Sequence, residues 1–260
     1  MYTIATLTAL RQHLGLSSSD TSDDARLLGV LQAASAHVER AAARRFVPRV
    51  ATLKHLVEKF EPLYITLYDD LLSLISVVDG DGSTISLSDV IAAPDAAPYS
   101  LLHLTNGRAF VRSYLTPVAV TGVWGWHDRP TEMWRSSGDS VQNNPLSNSG
   151  TSLSVSSVNG ADAAGQTPRL QVGHLLKIDE EYLRVLAISG NTLTVLRGVN
   201  GTTAAQHSQN TTIYTFQPAP DVHLLTLRWA AWLYREGDTD TPPRELRESL
   251  TDLRRTVVRV

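Results

Sequence analysis

Between Leu175 and Leu196 the chain reads LLKIDEEYLRVLAISGNTLTVL, two runs of β-forming text joined by Ser189-Gly-Asn191. In the second run Leu193 and Val195 alternate with Thr192 and Thr194. That period of two sends one face of a strand to a core and the other to water. The pair reads as a hairpin. An Asn200-Gly201 turn and the run Thr212-Ile-Tyr-Thr-Phe216 extend it into a compact all-β module, preceded by the polar stretch 135–160. Helical text resumes directly after it, so the module reads as an insertion.

The clearest helix is expected over 21–46. Thr21-Ser-Asp-Asp24 supplies capping residues and first-turn acids. Leu27, Leu31, Ala34, Val38 and Ala41 then follow the three-four spacing of one buried stripe. Arg44, Arg45 and Pro48 close it. A shorter helix is expected from Thr6 to Leu14, ended by Gly15. From about 50 to 126 the runs become β-branched and are broken by Asp79-Gly-Asp-Gly82 and Asn106-Gly107, which predicts a small antiparallel sheet. Its last strand is expected to carry both Trp124 and Trp126. After the module, an almost wholly apolar helix runs from Asp221 to Arg235. Beyond Thr241-Pro-Pro243, an amphipathic helix from Arg244 to Val260 carries Leu246, Leu250, Leu253 and Val257. The expected fold class is therefore α+β: a helical core with a small antiparallel sheet, plus an inserted all-β domain. Its parts are 1–134, 135–216 and 217–260.

Composition narrows the function. The net charge is -3, with no strongly basic region of the kind that grips DNA. There is no cysteine, which removes disulfides, thiolate nucleophiles and cysteine metal sites. The eight histidines form no close ligand pair, and no nucleophile elbow, P-loop or dinucleotide fingerprint appears. Asp179-Glu180-Glu181 offers carboxylates of the kind glycoside hydrolysis needs. Neighbours on a strand point to opposite faces, however, so solvated side chains are the expectation. Asp79-x-Asp81 lacks the later ligands of a calcium loop. Trp124 and Trp126, with Trp134 just beyond, are expected to be core packing at the edge of the insertion and not a ligand platform. The residues point to no enzyme, metal or cofactor.

Four stretches, taken in order, resemble the head-to-tail connector, or adaptor, proteins of tailed bacteriophages. They are ERAAARRF (Glu39–Phe46), DDLLSLISVVDGDG (Asp69–Gly82), VTGVWGWH (Val120–His127) and the apolar helix from Asp221. The resemblance covers residues 1–130 and 217–260. Separately, IDEEYLRVLAISGNTLTVLRGVNGTTAAQH (Ile178–His207) is similar to a β-module that recurs in phage structural proteins. The resemblance implies a structural virion protein in the neck between capsid and tail, present in the host cytoplasm during assembly. It implies a ring, usually of twelve copies, between the portal protein and a stopper or tail-completion protein, with genomic DNA passing through the lumen and no membrane involved. Carried onto this chain, Leu246, Leu250, Leu253 and Val257 become the portal-docking face, edged by Arg254, Arg255 and Arg259. Ala34, Val38 and Ala41 become the subunit-packing stripe. The alternative is a tail or baseplate component whose β-module binds a glycan or host-surface ligand, which exposed Trp126 and Trp134 would favour.

Overall fold

A computed structural model describes residues 3–17, 21–59, 62–105, 107–236 and 242–255, and these form two compact units. One gathers the described residues of 43–130 together with Arg255. The other gathers those of 1–42 and 131–254.

The first of these units is built from β1 (Arg49–His55), β2 (Tyr64–Val78), β3 (Thr84–Ile85), β4 (Val90–Ala93), β5 (Tyr99–Leu104) and β6 (Val118–Trp124). They form one antiparallel sheet in the order β1-β6-β2-β5-β4, with β3 beside β2. The 15-residue β2 is its spine. Tyr64–Thr66 pair with β5 and Leu71–Val78 pair with β6, with register shifts between Thr66 and Leu71, Leu71 and Ser73, and Leu74 and Ser76. Bulges bend a strand and raise its twist. Residues from both halves accordingly share one core, including Ile65, Leu67, Leu71, Val77, Leu102, Leu104, Val120 and Trp124. Gly122 makes the close approach feasible: a Cβ there would lie 2.4 Å from Leu71 Cδ1 and 2.6 Å from the Ser73 carbonyl oxygen. At the bend of β2 the carbonyls of Leu67 and Tyr68 accept from the Arg255 guanidinium at 2.7 and 2.5 Å. Asp70 lies 3.4 Å from both Arg255 and Arg44. Burial pushes its carboxyl up from the usual range, and the two arginines oppose that rise.

The second unit joins the helices to the β-module. Its helices are α1 (Leu7–Leu14), α2 (Asp24–Ala42), α3 (Pro220–Glu236) and α4 (Arg244–Asp252). Its strands are β7 (Trp134–Ser140), β8 (Ser152–Ser154), β9 (Leu175–Ile178), β10 (Glu181–Ser189), β11 (Thr192–Leu196) and β12 (Thr212–Phe216). They pair antiparallel in the order β7-β12-β9-β10-β11-β8. The inward faces of these strands and their connections share a second core, with Leu153, Leu176, Ile178, Leu183, Val185, Leu193, Val195 and Ile213. Thr6 caps α1 by accepting from the Ala9 amide at 3.2 Å, and Gly15 ends it at φ 74°. Leu27, Leu31, Ala34 and Val38 bury one stripe of α2, which packs mainly on α3. On α3, Trp229 lies against His37 with ring centroids 4.2 Å apart.

The expected helical adaptor core is overturned. Among the described residues the protein is mostly β, with two six-stranded antiparallel sheets and four helices of 8, 19, 17 and 9 residues. The physical reason lies in where the apolar mass goes. Among the described residues, two large hydrophobic clusters are made by strands and their connections, and the "small" sheet has a full core of its own. The last helix is also shorter than its leucine spacing suggests, ending at Asp252, and Leu253 follows it as the capping residue.

Candidate functional site

The acidic triplet shows first what the module does with its charge. β9 ends at Ile178, Asp179 turns the chain at φ 50°, and β10 begins at Glu181. Glu180 is 92% exposed and lies 3.3 Å from Lys177, as a solvated side chain should. Glu181 is the opposite case, with a fully buried side chain. Its Oε1 accepts from Arg197 Nε at 2.7 Å and the Gly198 amide at 2.9 Å. Its Oε2 accepts from Arg197 Nη2 at 2.7 Å and the Ala205 amide at 2.9 Å, and lies 2.8 Å from His207 Nε2. The other ring nitrogen of His207 lies 2.7 Å from Asp179. Burial alone would push the Glu181 carboxyl up. Arg197, Ala205, His207 and Gly198 outweigh it and hold the group down to about 2.

A carboxylate offers about four lone-pair sites. Five contacts from four residues already occupy those of Glu181, so nothing is left to handle a substrate proton. Arg197 is equally committed, donating Nη1 to the carbonyls of Ser147 and Gly150 at 2.7 and 2.6 Å. Thr202 completes the set, accepting from the Tyr182 amide at 3.0 Å and donating to the Val199 carbonyl at 2.9 Å. Asp179, Glu181, Arg197, Gly198, Thr202 and His207 all fall within Ile178–His207. That stretch therefore encodes an internal polar clasp that ties three loops to β10. The expectation of solvated carboxylates holds for Glu180 and fails for Glu181.

The tryptophans are packed. Trp124 is buried, and its indole donates to the Ala51 carbonyl at 2.8 Å. Trp126 meets Phe46 edge-on at 5.7 Å, and the Arg44 guanidinium lies 5.1 Å from its ring. Trp134 lies between Tyr182 at 5.0 Å and Phe216 at 5.7 Å. Neither Trp126 nor Trp134 is exposed, so the feature that would favour a glycan platform is missing at both.

The residues expected at a portal interface fall into three groups. Leu246, Leu250 and Leu253 are buried within their own unit, where α4 packs on α2 and α3. Arg254 is exposed, whereas Arg255 is spent on Asp70 and two backbone carbonyls. Val257 and Arg259 lie outside the described residues. In the expected subunit-packing stripe, Ala34 and Val38 are fully buried inside the chain and Ala41 is half-buried.

Two features escape sequence reasoning. The first is the loop tip Arg112-Ser-Tyr-Leu-Thr116, where Tyr114 is 79% and Leu115 is 93% exposed. The base of this loop is fixed. Asp79 Oδ1 accepts from the amides of Gly80 and Val111 at 2.8 and 2.9 Å, and Thr116 Oγ1 donates to the Gly80 carbonyl. Ser113 Oγ accepts from the Leu115 and Thr116 amides at 3.3 and 3.0 Å, and the Arg112 guanidinium lies 4.5 Å from the Tyr114 ring. A Cβ on Gly80 would come within 2.1 Å of the Val111 carbonyl oxygen, so this glycine permits the contact. Tyr114 and Leu115, in text between Asn106-Gly107 and Pro117 that belongs to no strand, were the available signal.

The second feature is a cleft of about 300 Å³ beside α1, walled by Leu7, Val158, Val172 and Ile188, with the Arg11–Asp24 ion pair at its polar side. Among the described residues, no group of three or more His, Asp or Glu side chains is placed to hold a metal ion. Nor is any helix among them long and apolar enough to cross a membrane. No protein-family model, curated protein or solved structure matches the chain.

Proposed function

We propose that the protein is a structural virion component, a head-to-tail adaptor that acts by docking. Copies of it join into a ring, twelve in number if it follows the proteins it resembles. The ring sits between the portal and the stopper or tail-completion protein, and genomic DNA passes through its lumen. The resemblance of residues 1–130 and 217–260 gives this reading its direction.

One observation carries it: the Tyr114–Leu115 tip, held out on a hydrogen-bonded base. Apolar surface presented on an ordered support marks a surface made to be covered by another protein. The clasp around Glu181 supports the same reading, because this dense carboxylate–histidine cluster is closed on itself. The near-neutral balance of charge suits a lumen through which DNA must slide.

The experiment is co-assembly of the full-length protein with the portal of the same phage, viewed by electron microscopy. The expected result is an additional ring under the portal. A protein that stays monomeric at all concentrations and leaves the portal bare overturns the reading.

A further inference from the structure

The loop tip and the cleft are complementary, and each chain carries one of each. We infer that the Tyr114–Leu115 tip of one copy seats in the cleft walled by Leu7, Val158, Val172 and Ile188 of the next copy. The inference rests on the adaptor reading above and names the contact that builds its ring.

Three properties of the surfaces carry it. The first is size: a cleft of about 300 Å³ is at the lower end of what small-molecule sites use and suits a side chain or two. The second is polarity, apolar walls against apolar tip. Val172 is 39% exposed in the cleft and Leu115 is 93% exposed on the loop, so both have surface to bury. The third is charge. Arg112 sits over the Tyr114 ring at 4.5 Å on the tip, while Asp24, the first residue of α2, lines the cleft. The Asp24 side chain is one-third exposed despite its pairing with Arg11, so an incoming guanidinium can reach it.

Tip and cleft are different surfaces, so copies joined head to tail leave a free tip and a free cleft at each step. Such a contact either closes into a ring or runs on as a filament.

Because the chain has no cysteine, the contact can be tested by cross-linking without background. Leu115→Cys and Val172→Cys variants are prepared separately, mixed in the presence of the portal and oxidised. The expected product is a disulfide-linked pair containing one chain of each variant, with little from either variant alone. Leu115→Asp should weaken self-association about 10- to 100-fold while leaving thermal unfolding unchanged, since the residue makes almost no contact in its own chain. Rings that form with neither the cross-link nor sensitivity to Leu115→Asp overturn the tip-in-cleft contact and leave the adaptor reading standing. Cross-linking of either single variant to itself as readily as to the other also overturns the contact. Absence of any ring under every condition overturns both.

Discussion

Replacing Glu181 with glutamine tests whether the polar clasp is structural. The substitution keeps the volume and one acceptor oxygen but removes the charge that Arg197 faces at 2.7 Å on two nitrogens. Arg197 is 6% exposed, so its guanidinium would be left without a counter-charge. Removing one member of such a buried pair costs about 3–5 kcal/mol. Linkage gives a second estimate. The carboxyl ordinarily titrates near 4.5 and is held at about 2 in the fold. That difference corresponds to about 3 kcal/mol, present above pH 4.5 and lost as the pH falls toward 2. The two routes agree, and either is a large share of the ~5–15 kcal/mol that holds a domain together. Native-state hydrogen exchange reads it directly. The Gly198 and Ala205 amides, which donate to Glu181, should lose about two to three orders of magnitude of protection in Glu181→Gln. The acid-dependent drop between pH 4.5 and 2 should shrink by about 3 kcal/mol in the variant. A change below about 1 kcal/mol, with the acid limb intact, would refute the reasoning.

Two further outcomes follow from the same packing. Leu246→Ala should cost about 2–5 kcal/mol in urea unfolding of the isolated protein, because the residue is 4% exposed inside its own unit; an unchanged midpoint would return this leucine to the partner interface. His55 is fully buried beside Tyr68 and Trp124, and burial lowers its imidazole to about 4, against a weak rise from the Thr66 backbone. The neutral ring is favoured by folding, so the β1–β6 sheet should be at full stability above pH 6.5 and lose up to about 3 kcal/mol as the pH falls to 4. Hydrogen exchange on β1 and β6 at pH 7 and 4.5 checks this, and His55→Phe should flatten the difference.

How far the sequence is legible depends on the reach of each interaction. Thr6 and Gly15 mark the ends of α1, and the stripe Leu27, Leu31, Ala34, Val38 marks the buried face of α2, because caps and periodicity act over a few residues. The β10–β11 hairpin reads equally well, with Leu193 and Val195 buried. What escapes is long-range. The register shifts that let β2 serve two neighbours leave no mark in its own text, and Arg255 meets Asp70 across 185 residues. Glu181 looks like its neighbour Glu180 until Arg197 and His207 close around it. Helices were overweighted for a related reason. Their apolar stripes stand out locally, whereas the two sheet cores are assembled from single residues on many strands. The tip and cleft were hidden because no local pattern separates an exposed leucine from a buried one.

Burial of the leucine stripe changes the character of the proposed portal contact. With Leu246, Leu250 and Leu253 turned inward, α4 presents Arg244, Glu245, Arg247 and Glu248, and Arg254 is exposed just beyond it. A contact through these side chains is electrostatic and screened by salt, whose Debye length falls from ~10 Å at 0.1 M to ~3 Å at 1 M. The inferred Tyr114–Leu115 contact rests mainly on apolar burial, which salt leaves in place, with the Arg112–Asp24 attraction a smaller, screened part. Raising the salt to about 1 M should therefore release the adaptor from the portal while its copies stay joined to one another. Mass measurement of the released material checks this: multimers support the division of roles. Monomers would mean that charge also holds the ring, and full retention on the portal would mean that an apolar surface other than the leucine stripe makes the dock.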